Sequence, residues 1–333
     1  MKESEIRPKE IFEEYLRLSK LDIENYFSDK SKFVEISCPA CDTKSNKIKF
    51  IKHDFIYRFC GNCSSLYVSP RPTPEMISDF YKKSDSSKYW AEYFYPKTSE
   101  PRRSKIYAPR AKKIYSFLKS NKINNHDSII DVGAGYGIFL EEIKKLNIFK
   151  SIIGIEPNKD LAAACKKRNL EVIEKKIEDI NHGEISADFV CSFEVFEHLF
   201  DPSLFIGDLK KITNKGGFIL FTTLTYSGFD LLTLGENSNS ISPPHHINFM
   251  SIEGIKKILN SNDLKEISIT TPGKLDLDLV INKMNDSNEL IIPEFIKYLI
   301  EKRGEKVHNK FQQFLQDSNL SSHVWVLAQK IND

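Results

Sequence analysis

The sequence predicts an α/β protein: a doubly wound, mostly parallel, Rossmann-like sheet of seven strands, preceded by a small zinc ribbon. Three observations carry that expectation. The apolar run Ser128-Ile-Ile-Asp-Val132 passes directly into Gly133-Ala-Gly-Tyr-Gly137, and Ile138–Leu146 follows with helical spacing. Beyond it, apolar runs of strand length alternate with helix-patterned segments, the signature of parallel βαβ units. Ahead of it stand two Cys-x-x-Cys pairs, Cys38/Cys41 and Cys60/Cys63.

Taken in order, residues 1–33 read as a helical segment and 34–72 as the ribbon. Each cysteine pair can form a knuckle turn, and two knuckles close a tetrahedral thiolate shell, which favours zinc. Two disulfides are the competing reading, disfavoured in a reducing compartment. Four thiolates leave no open coordination position, so the predicted Zn2+ is structural. Cys165 and Cys191 fall in helix- and strand-patterned stretches and read as packing residues. Leu66–Pro74 is an extended exit strand with a proline-rich corner, and Glu75–Lys83 a short helix. Residues 73–104, rich in Ser, Tyr and Lys toward their end, read as a linker or lid.

The domain from 105 to 333 opens on the glycine loop. Glycines let a backbone pass close beneath a ligand, and the amides of the helix that follows face it. A dinucleotide fingerprint would read G-x-G-x-x-G; here the third glycine comes one residue early and Asp131 precedes the first. The next strand, Ser151–Pro157, carries Glu156, placed to accept hydrogen bonds from a ribose diol. In this pattern the chain resembles the class I S-adenosylmethionine-dependent methyltransferases. The resemblance implies that Asp131, Gly133, Gly135 and Gly137 hold the methionine moiety of S-adenosylmethionine and that Glu156 holds its ribose. Ala187–Phe193 then matches the family's fourth strand, with Phe193 at the cofactor end, Gly216–Thr223 its fifth, and Leu264–Thr271 and Val324–Ala328 its last two, the final one antiparallel. The Cys-x-x-Cys pairs followed by Tyr67-Val-Ser-Pro-Arg-Pro72 also resemble bacterial sugar and secondary-metabolite methyltransferases. About sixty residues follow Gly273, too few for the large C-terminal domain of the carbon-methylating members, so oxygen or nitrogen is the expected acceptor atom.

Catalytic groups should lie past the fourth strand. If Phe193-Glu-Val-Phe-Glu-His-Leu199 turns helical, Glu194, Glu197 and His198 share one face. Two carboxylates and an imidazole suit a second divalent metal; the same pattern resembles the metal sites of small-RNA 2′-O-methyltransferases and ubiquinone-pathway O-methyltransferases. Metal-free relatives carry Glu-His here too, as loop support. His246, in Ser242-Pro-Pro-His-His-Ile-Asn-Phe249, is the candidate fourth ligand or base; an extended backbone would keep His245 from pointing into the same site. The long Leu224–Ser242 connection offers Tyr226 and Phe229 as pocket contacts. Residues 272–320 read as a cap, with a strand at Leu275–Asn282 and helices at Phe295–Leu299 and Val307–Phe314.

Forty-eight basic against forty-six acidic side chains give a net charge of +2, which provides no electrostatic argument for a polyanion or membrane surface. No apolar run reaches the length of a membrane span, and Met1–Arg7 lacks a signal peptide's apolar core; a cytoplasmic location is expected. The expected activity is methyl transfer to a hydroxylated small or carrier-linked metabolite, with a sugar or glycan precursor favoured. The alternatives are an RNA-modifying enzyme whose ribbon grips the polynucleotide and a non-catalytic scaffold. Oligomeric state leaves no mark.

Overall fold

The computed structural model describes residues 1–123, 126–287 and 290–332. After a 3-10 turn at Glu3–Glu5, helix α1 (Lys9–Phe27) leads into strands β1 (Ile48–Lys52), β2 (Phe55–Phe59) and β3 (Leu66–Val68). Helix α2 (Pro74–Lys83) starts at Thr73, whose side chain caps Met76 N, as its Thr-Pro sequence dictates.

What composition marks as a linker is helix. Segments α3 (Asp85–Tyr89), α4 (Tyr95–Arg102) and α5 (Ala108–Ser120) are joined by π-turns at Trp90–Phe94 and Arg103–Tyr107 into one continuous rod. Pro96, Pro101 and Pro109 lie along it, each lacking the amide that a regular turn would use. The rod holds because its aromatics are anchored: Phe94 is fully buried and stacks on Trp90 with ring centroids 3.9 Å apart.

The main sheet begins with β4 (Ser128–Val132), followed by α6 (Ile138–Lys145), β5 (Ser151–Ile155), α7 (Lys159–Lys167), β6 (Glu171–Ile173), β7 (Ala187–Phe193), α8 (Pro202–Lys211) and β8 (Thr213–Leu224). After α9 (Phe229–Leu234), the short β9 (Asn248–Phe249) leads to α10 (Ile252–Ser261) and β10 (Leu264–Thr270). Helices α11 (Asp276–Asp286), α12 (Glu294–Lys302) and α13 (Glu305–Asp317) then precede β11 (His323–Lys330). The seven strands lie in the order β10-β11-β8-β7-β4-β5-β6, parallel except for β11. The order of connection reverses between the parallel β4 and β7: from β4 the chain steps outward to β5 and β6, then crosses back to β7 on the other side, which makes this the switch point where ligands bind in such sheets.

The expected strand at Leu275–Asn282 is part of α11 instead. Leu275-Asp-Leu-Asp-Leu279 satisfies a period of two, but the buried positions continue as Leu277 and Val280, a helical step, with Asp276 and Asp278 in the first turn. The two expected helices beyond it are α12 and α13.

The cysteine-bearing region is no separate ball. β1, β2 and β3 are completed by β9 from the far half of the chain, with Leu66 opposite Phe249 and Tyr67 opposite Asn248. One hydrophobic core runs from Cys38, Cys60 and Cys63 through Met250 and Ile255 to Ile130, Val190 and Phe221 of the main sheet. Among the described residues no helix is long and apolar enough to cross a membrane.

Candidate functional site

The glycine loop lies at the C-terminal end of β4. All three glycines have left-handed backbones, φ being 76° at Gly133, 55° at Gly135 and 72° at Gly137. A Cβ on Gly133 would meet Val195 Cγ2 at 2.5 Å, and one on Gly137 would meet Cys165 Sγ and Leu170 Cδ1 at 2.7 Å. Glu156, just past β5, is buried and already oriented: its carboxylate accepts from Gly135 N at 2.7 Å and from Asn158 N at 2.9 Å. Beneath the loop, Asp131 is buried with the Cys191 thiol as its hydrogen-bond donor, and burial pushes its pKa up to about 7. Phe193 closes β7 with the Arg110 guanidinium 4.7 Å above its ring. The loop, Asp131, Glu156 and Phe193 therefore gather at the C-terminal ends of β4, β5 and β7, at the switch point. Sequence reasoning missed what covers it. Tyr95 of α4 stacks on Tyr136 at 6.0 Å, and its hydroxyl lies 3.3 Å from the Cβ position of Gly135.

Past β7 the expected helical face does not form. Glu194 has φ 57°, and only Phe196–His198 make a 3-10 turn. The left-handed residue throws the Glu194 carboxylate aside, where it takes Arg110 Nη2 at 2.7 Å, His323 Nε2 at 2.8 Å and Thr222 Oγ1 at 2.6 Å. Burial alone would raise its pKa; His323 and Arg110 overcome that and hold it well below the usual carboxylate range. Glu194 thus leaves the predicted cluster.

The other three members come together. Glu197, His198 and His246 offer one ligand atom each, all within 4.8 Å of one another. Thr223 Oγ1 donates to Glu197 Oε2 at 2.9 Å, and Tyr81 OH lies 2.9 Å from His198 Nδ1. His246 Nδ1 is 2.7 Å from the Ser240 carbonyl, an acceptor, so the proton is on Nδ1 and Nε2 carries a lone pair. Burial, with the Glu194 charge second, pushes Glu197 up to about 8; burial depresses His246 to about 4 and His198 well below its ordinary value. One carboxylate oxygen and two imidazole nitrogens held this close make a donor set that fits a divalent cation. The segment carrying His246 is a turn, His246 N bonding Ser242 O at 2.9 Å. His245 consequently also faces His198, with ring centroids 6.5 Å apart, and bonds Ser19 Oγ at 3.0 Å. Tyr226 and Phe229 turn elsewhere: Tyr226 packs on Phe59 and Phe229 on Phe311.

The four knuckle cysteines converge. Sγ separations are 3.5 Å for Cys38–Cys63 and 3.6 Å for Cys41–Cys60 and Cys41–Cys63, and all four thiols are free of disulfides. Thiolates bound at about 2.3 Å to one tetrahedral zinc would be about 3.8 Å apart, so the pocket fits that ion. Each knuckle turns at a left-handed residue directly after its second cysteine, Asp42 with φ 53° and Ser64 with φ 58°. The knuckles are also tied to the histidine segment. Tyr57 OH donates to His246 O at 2.8 Å, Ser251 Oγ to Cys63 O, and Ser251 N to Ser65 Oγ at 3.1 Å.

Comparison with known proteins agrees with this geometry. The profile of a family described as "Methyltransferase domain" matches residues 103–269. The mitochondrial ubiquinone biosynthesis O-methyltransferase of Candida albicans is 28% identical over 163 residues, 45% of this chain and 48% of that protein. The human protein of the same name is 31% identical over 152 residues, 41% of each. The chain thus spans about half the length of these relatives. Among solved structures, the plantazolicin methyltransferase BpumL in complex with SAH superposes with a TM-score of 0.50 at 13% identity, over 77% of this chain and 94% of that one. At that identity the likeness is one of fold.

Proposed function

The chain belongs to this methyltransferase-domain family, and on that premise we propose that it transfers a methyl group from S-adenosylmethionine to a hydroxyl oxygen of a small or carrier-linked metabolite. When bound, the cofactor supplies an electrophilic methyl carbon on a sulfonium. The observation that carries the reading is the placement of two built sites at one switch point: the glycine loop with Glu156 on one side, the Glu197–His198–His246 cluster on the other.

The residue roles follow. Gly133, Gly135 and Gly137, with Asp131 beneath, receive the methionine part, and Glu156 turns to the ribose diol. His246 Nε2 takes the acceptor's hydroxyl proton as the new C–O bond forms; the Nδ1–H bond to Ser240 O steadies the resulting imidazolium. Tyr81 orients His198. A divalent cation held by Glu197, His198 and His246 would lower the hydroxyl's pKa in place of that base. The thiolates of Cys38, Cys41, Cys60 and Cys63 hold a structural zinc as a ribbon-like module. Oxygen as acceptor atom is supported by the names of the curated relatives, which are O-methyltransferases. A sugar or glycan precursor heads the candidates because of the cysteine-pair layout.

Calorimetric titration with S-adenosylhomocysteine, with NAD as a matched control, tests the reading. Binding of the adenosyl compound alone, weakened at least about 10-fold in Glu156→Ala, is the expected result. No binding by folded protein sinks it. Transfer of labelled methyl to hydroxylated acceptors, with and without chelator, then separates the base from the metal route.

A further inference from the structure

Among the described residues, the largest fully buried side chain belongs to Arg71, which follows β3 in the Ser69-Pro-Arg-Pro72 corner. Its guanidinium donates only to neutral acceptors. Nε gives to Val68 O at 2.9 Å, Nη1 to Phe200 O at 2.9 Å, and Nη2 to Asn248 Oδ1 at 3.1 Å and Ile247 O at 3.4 Å. Asp201, the carboxylate that acts on it electrostatically, caps α8 by accepting from Ser203 N and Leu204 N. Burial pushes the pKa of Arg71 down to about 9, which leaves a cation at neutrality. A buried charge held by carbonyls alone is expensive for a fold. What its fork joins, and not net stability, therefore accounts for an arginine here.

The acceptors lie on the two segments that bring the histidines together. Phe200 stands two residues after His198, and Ile247 and Asn248 directly follow His246. Asn248 extends the link, its Nδ2 donating to Leu199 O at 2.6 Å while its Oδ1 receives Arg71. Ile247 O also takes Val68 N at 3.0 Å, and Ile247 N donates to Glu197 O at 3.0 Å. The fork starts from a fixed point, because Arg71 N and O are both paired with the Val34 backbone, at 3.0 and 2.9 Å. Between the segments so tied, the His198 and His246 rings lie 4.8 Å apart by centroid. Arg71 is outside the matched residues 103–269.

We propose that Arg71 is a positioning residue: by bridging Phe200 O to Ile247 O and Asn248 Oδ1, it fixes the separation of His198 and His246, and with it the place where His246 Nε2 meets the acceptor. A planar fork can span two segments at once, which an ammonium cannot. Its part in transfer rests on the reading of His246 as base; its part in the spacing does not.

The spacing is read as the nuclear Overhauser cross-peak between the two rings, in deuterated protein with protonated histidines, assigned with single His→Gln variants. A displacement of about 1 Å, enough to cost on the order of 100-fold in rate, lowers that cross-peak about threefold through its inverse-sixth-power dependence on distance. Arg71→Met, which keeps the bulk, and Arg71→Lys, which keeps the charge, should both show at least that loss. Asn248→Ala, which removes one arm, should show a smaller one and decides the matter if Arg71→Met does not fold. Affinity for S-adenosylhomocysteine should stay within about twofold in every folded variant, because the glycine loop is not tied to this link. An unchanged cross-peak in folded Arg71→Met or, failing that, in Asn248→Ala overturns the proposal. So does a wild-type cross-peak in Arg71→Lys, a missing one in the wild type, or a loss of cofactor affinity that accompanies the loss of spacing. Wild-type protein that binds no S-adenosylhomocysteine defeats the methyltransferase reading instead, and the cross-peak still decides the role of Arg71.

Discussion

At the scale of single residues, the site is set by backbone conformations that side chains resist. Gly137 combines a left-handed φ with contact distances of 2.7 Å at its Cβ position. Gly137→Ala should therefore lose about 1–3 kcal/mol of stability and weaken S-adenosylhomocysteine binding at least about 10-fold. Urea denaturation and calorimetry check this, and an unchanged midpoint with unchanged affinity would contradict the account. Glycine runs are legible in sequence because nothing else tolerates such positions. Glu194 shows the converse. Its left-handed φ leaves no mark in residue type, so a helical reading of Glu194, Glu197 and His198 assigns it to the wrong neighbours; its true ones, Arg110 and His323, lie far off along the chain. Arg102 was illegible for a similar reason, because a Ser-, Tyr- and Lys-rich stretch does not announce that two of its rings, Phe94 and Tyr95, will close with Tyr107 around one cation.

Among elements, six of the seven strands of the main sheet were readable from apolar runs, since burial on both faces of the central strands leaves little freedom of composition; the edge strand β6, three residues with no buried side chain, was not. The cap was half readable, α11 being misjudged where five residues satisfy two periods at once. That helix carries a titratable joint. Asp276 accepts from Ser321 Oγ at 2.6 Å and Ser322 N at 2.6 Å, and beside it the fully buried Asp230 of α9 is pushed up to about 8, by burial first and by Asp276 second. Between the ordinary carboxylate pKa and about 8 the folded chain keeps a proton on Asp230 that the unfolded chain releases. Stability should accordingly fall as pH rises through that window, by up to about 1.4 kcal/mol per unit. Asp230→Asn lacks this slope: its melting temperature should exceed that of the wild type at pH 8, with the gap closing toward pH 4.5. Parallel melting curves across that range would contradict the assignment.

Considered whole, the molecule should unfold as one cooperative body, because the knuckle sheet borrows β9 and the knuckle cysteines belong to the core of the main sheet. Differential scanning calorimetry should show a single transition for the zinc-loaded protein, with one zinc per chain by elemental analysis. Cys60→Ser should lower that transition by roughly 10 °C or more without splitting it, on the scale of several kcal/mol for losing a structural metal. Two resolved transitions would mean that the module folds alone. The cysteine spacing made the convergence of four thiols legible, but the strand that completes their sheet was not, since two residues, Asn248 and Phe249, are too few to carry a pattern. The pairing of Leu66 with Phe249 also has a meaning in time. A ribosome adding about 5–20 residues per second needs roughly 10–40 s to travel from one partner to the other. Throughout that interval the nascent knuckles present a bare strand edge and four unshielded thiols, so metal capture before Phe249 emerges would guard the newborn chain against mispairing and oxidation.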